Sequence, residues 1–290
     1  MRIAVASGKG GTGKTFVATN LFNVLSRRGD RVTLTDCDAE APNDLLFFRT
    51  EKVSVKEVTH QVPVINKDVC TWCGRCSQWC SFNAIFFVPN AKVIEVIESI
   101  CHGCGACSYA CNDEAITEKP LTLGTVTSYM TDKNNPLIEA RLHVNEISTV
   151  RVINAAIKES GDEGVVILDA PPGTSCPFIQ TVDKADFVVL VTEPTPFGLS
   201  DLRQSVETLK EMSKEPAVII NRSDIGDRDV AGYLEKEKIP LLAEIRYDPA
   251  IARAYSEGRL VTDEMPELAS LFEELADKII DRYGTGSSKR

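Results

Sequence analysis

"MRIAVASGKGGTGKT" (residues 1–15) carries a short apolar run, Ile3 to Ala6, into a glycine-rich loop and then into a helical pattern from Phe16 to Arg28. A strand, a tight loop and a helix in that order aim backbone N–H groups at one point beside a helix N-terminus, where they cradle phosphate. Gly8 to Thr15 fits the spacing G-x-x-x-x-G-K-[ST]. The loop therefore predicts nucleotide contacts from Gly8, Lys9, Gly10, Gly11, Thr12, Gly13, Lys14 and Thr15. Lys14 is expected at the β- and γ-phosphates of ATP, and the Thr15 hydroxyl on Mg²⁺.

Apolar strand patterns recur downstream in "RVTLTDCDAEAPN" (31–43), "GVVILDAPPGT" (164–174), "FVVLVTEPTPFGLSDL" (187–202), "AVIINR" (217–222) and "IPLLAEIRYD" (239–248). Helix-period patterns lie at 146–160, 199–213, 229–238 and 266–283. Strands alternating with helices predict an α/β fold, a doubly wound and mostly parallel sheet covered on both faces. Ligands of such sheets sit at the carboxyl ends of the strands, and Asp36 is expected there, near the metal.

Ten cysteines form the second signal, eight of them in two clusters. "CTWCGRCSQWCSFNAI" (70–85) and "CHGCGACSYACNDEAI" (101–116) align at an offset of 31, so the chain contains an internal repeat. Each copy has the spacing C-x2-C-x2-C-x3-C. The N-terminus lacks the long apolar stretch of a secretion signal, so a cytoplasmic, reducing compartment is expected and a disulfide framework is a poor reading. Zinc sites use two separated knuckles; three cysteines two apart in one loop suit the corners of an iron–sulfur cluster instead. The spacing resembles that of bacterial-type two-cluster ferredoxins, in which the fourth cysteine of each run ligates the other cluster. That resemblance implies two [4Fe-4S] clusters, one held by Cys70, Cys73, Cys76 and Cys111, the other by Cys80, Cys101, Cys104 and Cys107. Ser81 and Asn112 stand where such ferredoxins carry proline. Trp72 and Trp79 are read either as covers over a cluster or as ordinary core.

The string "KGGTGKT", with its early lysine Lys9, resembles the deviant Walker A motif of the ATPase class that includes MinD, ParA, the Mrp scaffold proteins and the nitrogenase iron protein. The resemblance implies a nucleotide-linked homodimer in which Lys9 reaches the partner's ATP. It implies that Asp38 orients the attacking water and that Asp169 joins Thr15 and Asp36 at magnesium. It further implies that Pro172 and Gly173 belong to switch II, and that Asn221, with Arg222, meets the base. Taken together, the motifs resemble MinD-superfamily ATPases with an inserted ferredoxin domain, the ATPase covering 1–58 and 120–290 and the insert 59–119.

Some features depart from those relatives. No cysteine follows Cys176, so the C-terminal C-x-x-C pair of Mrp scaffolds is missing. Cys176 lies where the nitrogenase iron protein has a cluster ligand, and is read either as a small buried residue or as a metal ligand at a dimer interface. Cys37, between two acids, is read as structural. The helix pattern at 266–283 reads as a packing helix, and "GTGSSKR" (284–290) as a frayed tail. A formal charge of −10 argues against nucleic acid, and no apolar run reaches the roughly 20 residues that cross a bilayer. The functional expectation is a Mg-ATPase that couples nucleotide state to electron transfer toward an unidentified redox or assembly partner. Two alternatives stand beside it: an iron–sulfur carrier using Cys176, and a positioning ATPase with structural or redox-sensing clusters.

Overall fold

The computed structural model describes residues 1–144, 146 and 148–283; the tail at 284–290 lies outside the described residues. The strands are β1 (Arg2–Ala6), β2 (Val32–Asp36), β3 (Thr50–Ile65), β4 (Ile85–Val88), β5 (Val93–Val96), β6 (Ile116–Thr131), β7 (Pro136–Leu142), β8 (Val165–Asp169), β9 (Phe187–Thr192), β10 (Pro216–Asn221) and β11 (Leu241–Ile245). The helices are α1 (Lys14–Arg28), α2 (Arg75–Gln78), α3 (Ala106–Ala110), α4 (Thr149–Glu159), α5 (Cys176–Asp183), α6 (Pro196–Glu211), α7 (Asp229–Glu237), α8 (Pro249–Ser256), α9 (Val261–Glu264) and α10 (Pro266–Tyr283). The chain divides into two compact units, one of Met1–Val55, Val126–Arg141 and Ile153–Arg290, the other of Lys56–Thr125 and Leu142–Val152.

The larger unit is built on a sheet whose strands run in the order β11-β10-β9-β1-β8-β2-β7-β6-β3. β1 pairs in parallel with β8 and β9, and β2 with β8 and β7. The register sets Val5 beside Asp169 and Asp36 beside Asp169, so two acids meet at the carboxyl ends of adjacent strands. The central strands are buried apolar runs, as a sheet covered on both faces requires.

Helix α1 is buried from Lys14 to Ser26, polar residues included. Its polar side chains are answered from α9: Asn20 Oδ1 accepts from the Thr262 N–H and hydroxyl, and Asn23 Nδ2 donates to Thr262 and Asp263. Phe16 meets Phe272 of α10 edge to face at 5.8 Å. Leu275 and Ile279 of α10 join the core, with Leu268 and Leu271 packed against it, so this is the packing helix that its apolar stripe predicts. Among the described residues no helix is long and apolar enough to cross a membrane.

The smaller unit has a thin core. Cys76, Ile85, Ile94 and Cys107 form its buried centre, with Ile65, Trp72, Phe87 and Ile116 packed around them. Strands β4 and β5 make an antiparallel hairpin, with Ile85 opposite Val96 and Phe87 opposite Ile94. A core this small gains from a metal or disulfide staple. Strands β3 and β6 contain residues of both units. β3 ends the strand order, and its residues Glu51, Lys52, Val53, Val55, Lys56 and Glu57 are exposed.

The sequence repeat returns as a backbone repeat. Trp72 and Gly103 share φ values of 59° and 58°, Gly74 and Gly105 share 73° and 74°, and Asn83 and Glu114 share 54° and 52°. The N–H of Trp72 donates to Cys70 Sγ, and that of Gly103 to Cys101 Sγ, both at 3.4 Å. Trp79 is 51% exposed and lies beside Tyr109 at 6.2 Å, so the core reading holds for Trp72 and not for Trp79.

Candidate functional site

The loop after β1 is pinned from several sides. Asn221, at the end of β10, donates from Nδ2 to Thr12 O and accepts the Arg222 N–H on Oδ1. A cavity of about 190 Å³, open on one side, is lined by Gly11, Gly13, Phe16, Asn221, Arg222, Tyr247, Asp248 and Tyr255, among others. Its mixture of aromatic, amide and charged groups suits a nucleoside. Gly13 and Phe16, at the start of α1, line it, and Lys14 and Thr15 beside them are buried.

Beneath the loop four acids surround one lysine. Lys14 Nζ lies 3.5 Å from Asp38 Oδ2 and 3.9 Å from Asp169 Oδ1, and the Thr15 hydroxyl donates to Asp169 Oδ2 at 2.6 Å. Burial works against charge on Lys14, but Asp169, Asp38, Asp36 and Asp44 together raise its pKa above the ordinary lysine value. Asp36 is fully buried. Burial first, then the charge of Asp169, push its pKa up to about 7, against three backbone N–H donors from Asp44, Asn43 and Asp38. Asp169 is also raised, by burial, with Lys14 and Thr15 opposing.

Sequence reasoning missed Asp44. The motif reading of "RVTLTDCDAEAPN" stops one residue short of it. Its carboxyl is 0% exposed; burial first, then the charges of Asp36 and Asp169, push its pKa well above the usual carboxylate range, and it pairs with the Asp169 carboxyl. Asp36, Asp44 and Asp169 each bring an oxygen within 4.8 Å of the others. Hard oxygen donors gathered in this way fit a divalent cation such as Mg²⁺.

Lys9 stays in its own chain here, 3.8 Å from Glu193, which also accepts from Arg222 at 2.6 Å. Glu193 was a second miss; it follows the last residue of β9, Thr192, and nothing local marks it. Gly173 donates its N–H to Ser7 O at 3.0 Å, tying the predicted switch II to the strand before the loop, while Pro172 is exposed. Cys176 opens α5 and is exposed, which removes the buried-residue reading. Cys37 is fully buried; burial, then Asp36, push its thiol well above the usual range, the setting of an inert structural thiol.

In the smaller unit the cysteines fall into two pockets. Cys70, Cys73, Cys76 and Cys111 line one. Cys80, Cys101, Cys104 and Cys107 line the other. In each, three cysteines come from one repeat and the fourth from the other. Burial, and then the nearby thiols Cys80 and Cys104, raise Cys101 despite a backbone N–H; burial, and then Cys70, Cys107 and Cys73, raise Cys76 in the same way. Four converging thiols, with backbone N–H groups of Trp72, Ala84 and Gly103 donating to sulfur, fit the donor set of an iron–sulfur cluster.

A family model described as the CobQ/CobB/MinD/ParA nucleotide binding domain matches residues 3–261. An uncharacterized protein of Methanocaldococcus jannaschii is 32% identical, over 96% of this chain and 96% of that one. An iron-sulfur cluster carrier protein of Pyrococcus horikoshii is 23% identical over 97% of this chain and 86% of its own. Among solved structures, the septum site-determining protein MinD of Pyrococcus horikoshii, complexed with Mg-ADP, superposes with a TM-score of 0.63 at 22% identity, over 99% and 98% of the two chains.

Proposed function

The chain belongs to the CobQ/CobB/MinD/ParA nucleotide-binding family, and from that premise we propose that it is a dimeric Mg-ATPase coupling its nucleotide state to electron transfer through two [4Fe-4S] clusters. The observation that carries the reading is the pair of four-cysteine pockets in the chain that also bears the phosphate loop.

Gly8 to Thr15 bind the phosphates, Lys14 meets the developing negative charge, and Asp38 orients the attacking water. Thr15, Asp36 and Asp169 would hold Mg²⁺, which would supply positive charge against the phosphates. Lys9 leaves Glu193 and reaches the ATP of a second copy as the dimer closes. Asn221 and Arg222 flank the base. Pro172 and Gly173 respond to the γ-phosphate. Cys70, Cys73, Cys76 and Cys111 would hold one cluster and Cys80, Cys101, Cys104 and Cys107 the other; each cluster would supply one-electron chemistry. The path from switch to clusters is short in sequence, because β3 begins six residues after Asp44 and its later residues belong to the cysteine-bearing unit.

A second reading, an iron–sulfur carrier, is favoured by the carrier proteins among the relatives and by the exposure of Cys176 beside the predicted switch II. The positioning reading rests on the MinD fold alone. The distinguishing experiment is an anaerobic EPR titration with MgADP and then a non-hydrolysable MgATP analogue. For a one-electron couple, about 59 mV is a tenfold change in equilibrium, and linkage makes nucleotide affinity depend equally on redox state. A cluster potential that moves by tens of millivolts supports coupling; an unmoved potential refutes it and leaves the carrier reading.

A further inference from the structure

The two cysteine pockets are built on one repeat, so a side chain that breaks the repeat marks a difference between them. At the offset of 31, Glu118 falls where the first copy has Phe87. The structure keeps that correspondence. A Cβ on Gly74 would meet the Phe87 ring at 2.6 Å, and a Cβ on Gly105 would meet Glu118 Oε1 at 3.7 Å. A carboxylate thus stands in one copy where the other has an aromatic ring. Glu118 lines the pocket of Cys80, Cys101, Cys104 and Cys107.

Two contacts tie this carboxylate to the sulfurs. Ser108 Oγ donates to Glu118 Oε1 at 2.8 Å. Ser108 also bonds Cys107: burial raises the Cys107 thiol, and the backbone and hydroxyl of Ser108 oppose it. A hydroxyl has one proton to give, so a proton held by Glu118 is withheld from the Cys107 sulfur. In the first copy the equivalent Ser77 donates to a backbone carbonyl, Ile85 O, at 3.0 Å. The charge of Glu118 also reaches Cys101, whose thiol it helps burial to raise. Lys119, the next residue of β6, lies on the opposite face of the strand and pairs with Glu98 at 2.7 Å. Arg151, a cation on the same loop, is spent on backbone, its Nη2 bonding His102 O at 3.0 Å.

We infer that Glu118 is a positioning and tuning residue of this pocket: by its charge, and by drawing the Ser108 hydroxyl away from Cys107, it sets a lower reduction potential than the same four cysteines would give without it. Reduction adds negative charge, which a neighbouring carboxylate opposes and hydrogen bonds to sulfur favour. Both actions of Glu118 therefore push the same way. The other pocket, with Phe87 at the matching place, lacks this control, so the two pockets are separately adjustable. The inference rests on the reading of these cysteines as ligands of two [4Fe-4S] clusters.

The test is a potentiometric EPR titration of anaerobically purified, full-length protein whose iron and sulfide have first been counted. Glu118→Gln keeps the side-chain size and removes the charge, and Glu118 is exposed, so the core is untouched. The variant should raise the midpoint of one cluster signal by at least about 28 mV, a threefold change in a one-electron equilibrium, and leave the other signal where it was. The signal that moves should be the one that Cys101→Ser abolishes. Glu118→Asp, which keeps the charge, should stay nearer the wild type. The shift in Glu118→Gln should shrink in about 1 M salt, which screens an exposed charge. Glu118→Gln protein that holds its iron and sulfide and shows unmoved midpoints overturns the inference, as does a shift shared equally by both signals. Wild-type protein that binds no cluster when reconstituted with iron and sulfide refutes instead the reading on which the inference rests.

Discussion

Gly103 and Gly105 stand two residues apart in the second cysteine repeat, and both hold left-handed backbone, with φ of 58° and 74°. Alanine at either position carries the conformational penalty of an L residue in that region, about 1–2 kcal/mol. The space around them differs. A Cβ on Gly105 would meet only the end of the Glu118 side chain at 3.7 Å, ordinary contact. A Cβ on Gly103 would come within 2.6 Å of Gln61 O and 3.2 Å of the His60 ring. Gln61 O is backbone in β3 and cannot swing away, so the strand or the 101–104 loop must shift, and overpacking of this kind adds about 1–3 kcal/mol. Gly103→Ala should therefore cost about 2–5 kcal/mol and Gly105→Ala about 1–2 kcal/mol. At about 2–4 °C per kcal/mol for a chain of this size, an anaerobic melt followed by circular dichroism resolves the two. Trp72, at the matching place in the first repeat, holds φ 59° with a full side chain, so the backbone angle alone does not forbid a residue. Equal losses at Gly103 and Gly105 would refute the steric argument.

The cross-repeat pockets make a sharper claim about metal. Cys80→Ser and Cys101→Ser, 21 residues apart in sequence but lining one pocket, should abolish the same cluster EPR signal and leave the other; loss of different signals would refute the pairing. Thr15→Ala should lower ATP turnover by at least about a hundredfold, since it removes a metal ligand and a phosphate contact, while a malachite-green assay showing wild-type turnover would exclude this loop as the site. The raised pKa of Asp36 sets a direction for pH. Its folded value, about 7 against an ordinary 3.8, means the native state binds that proton more tightly than the unfolded chain, so stability falls as pH rises from about 4 to 7. Metal-free protein should be more stable at pH 5.5 than at pH 8 by about 2 kcal/mol, with the difference shrinking in Asp36→Asn; denaturant melts showing no pH dependence would contradict it.

What could be read from sequence was local. The strand, loop and helix of residues 1–28 and the twice-repeated cysteine spacing each fit within one window, and each returns in the fold as a contiguous element. The parallel sheet was legible because buried strands such as Val165–Asp169 are continuous apolar runs. Asp44 was not, because its meaning comes from the register of β2 against β8 and from a loop closing over Asp36. Strands β3 and β6 escaped in large part because long polar stretches hide their period: Thr50–Thr59 is mostly exposed, and Ile116–Thr131 contains Pro120 and Gly124. Glu193 escaped because the contact of Lys9 with it spans most of the domain's sequence.

Strand β3 also bears on handling the protein. A sheet edge exposed along most of Thr50–Thr59 is a template on which other chains can stack, and Val53 and Val55, 62% and 53% exposed, would make such stacking adhesive. Lys52, Lys56, Glu51 and Glu57 flank those two valines in a mirror-symmetric order, E-K-V-S-V-K-E. Two copies laid antiparallel with their Ser54 residues opposed would bring lysine against lysine and glutamate against glutamate, an arrangement that like charges oppose. The clarity of a concentrated solution thus depends on seven residues of one strand, and dense salt, which shortens the reach of those charges, is the condition under which it would first turn cloudy.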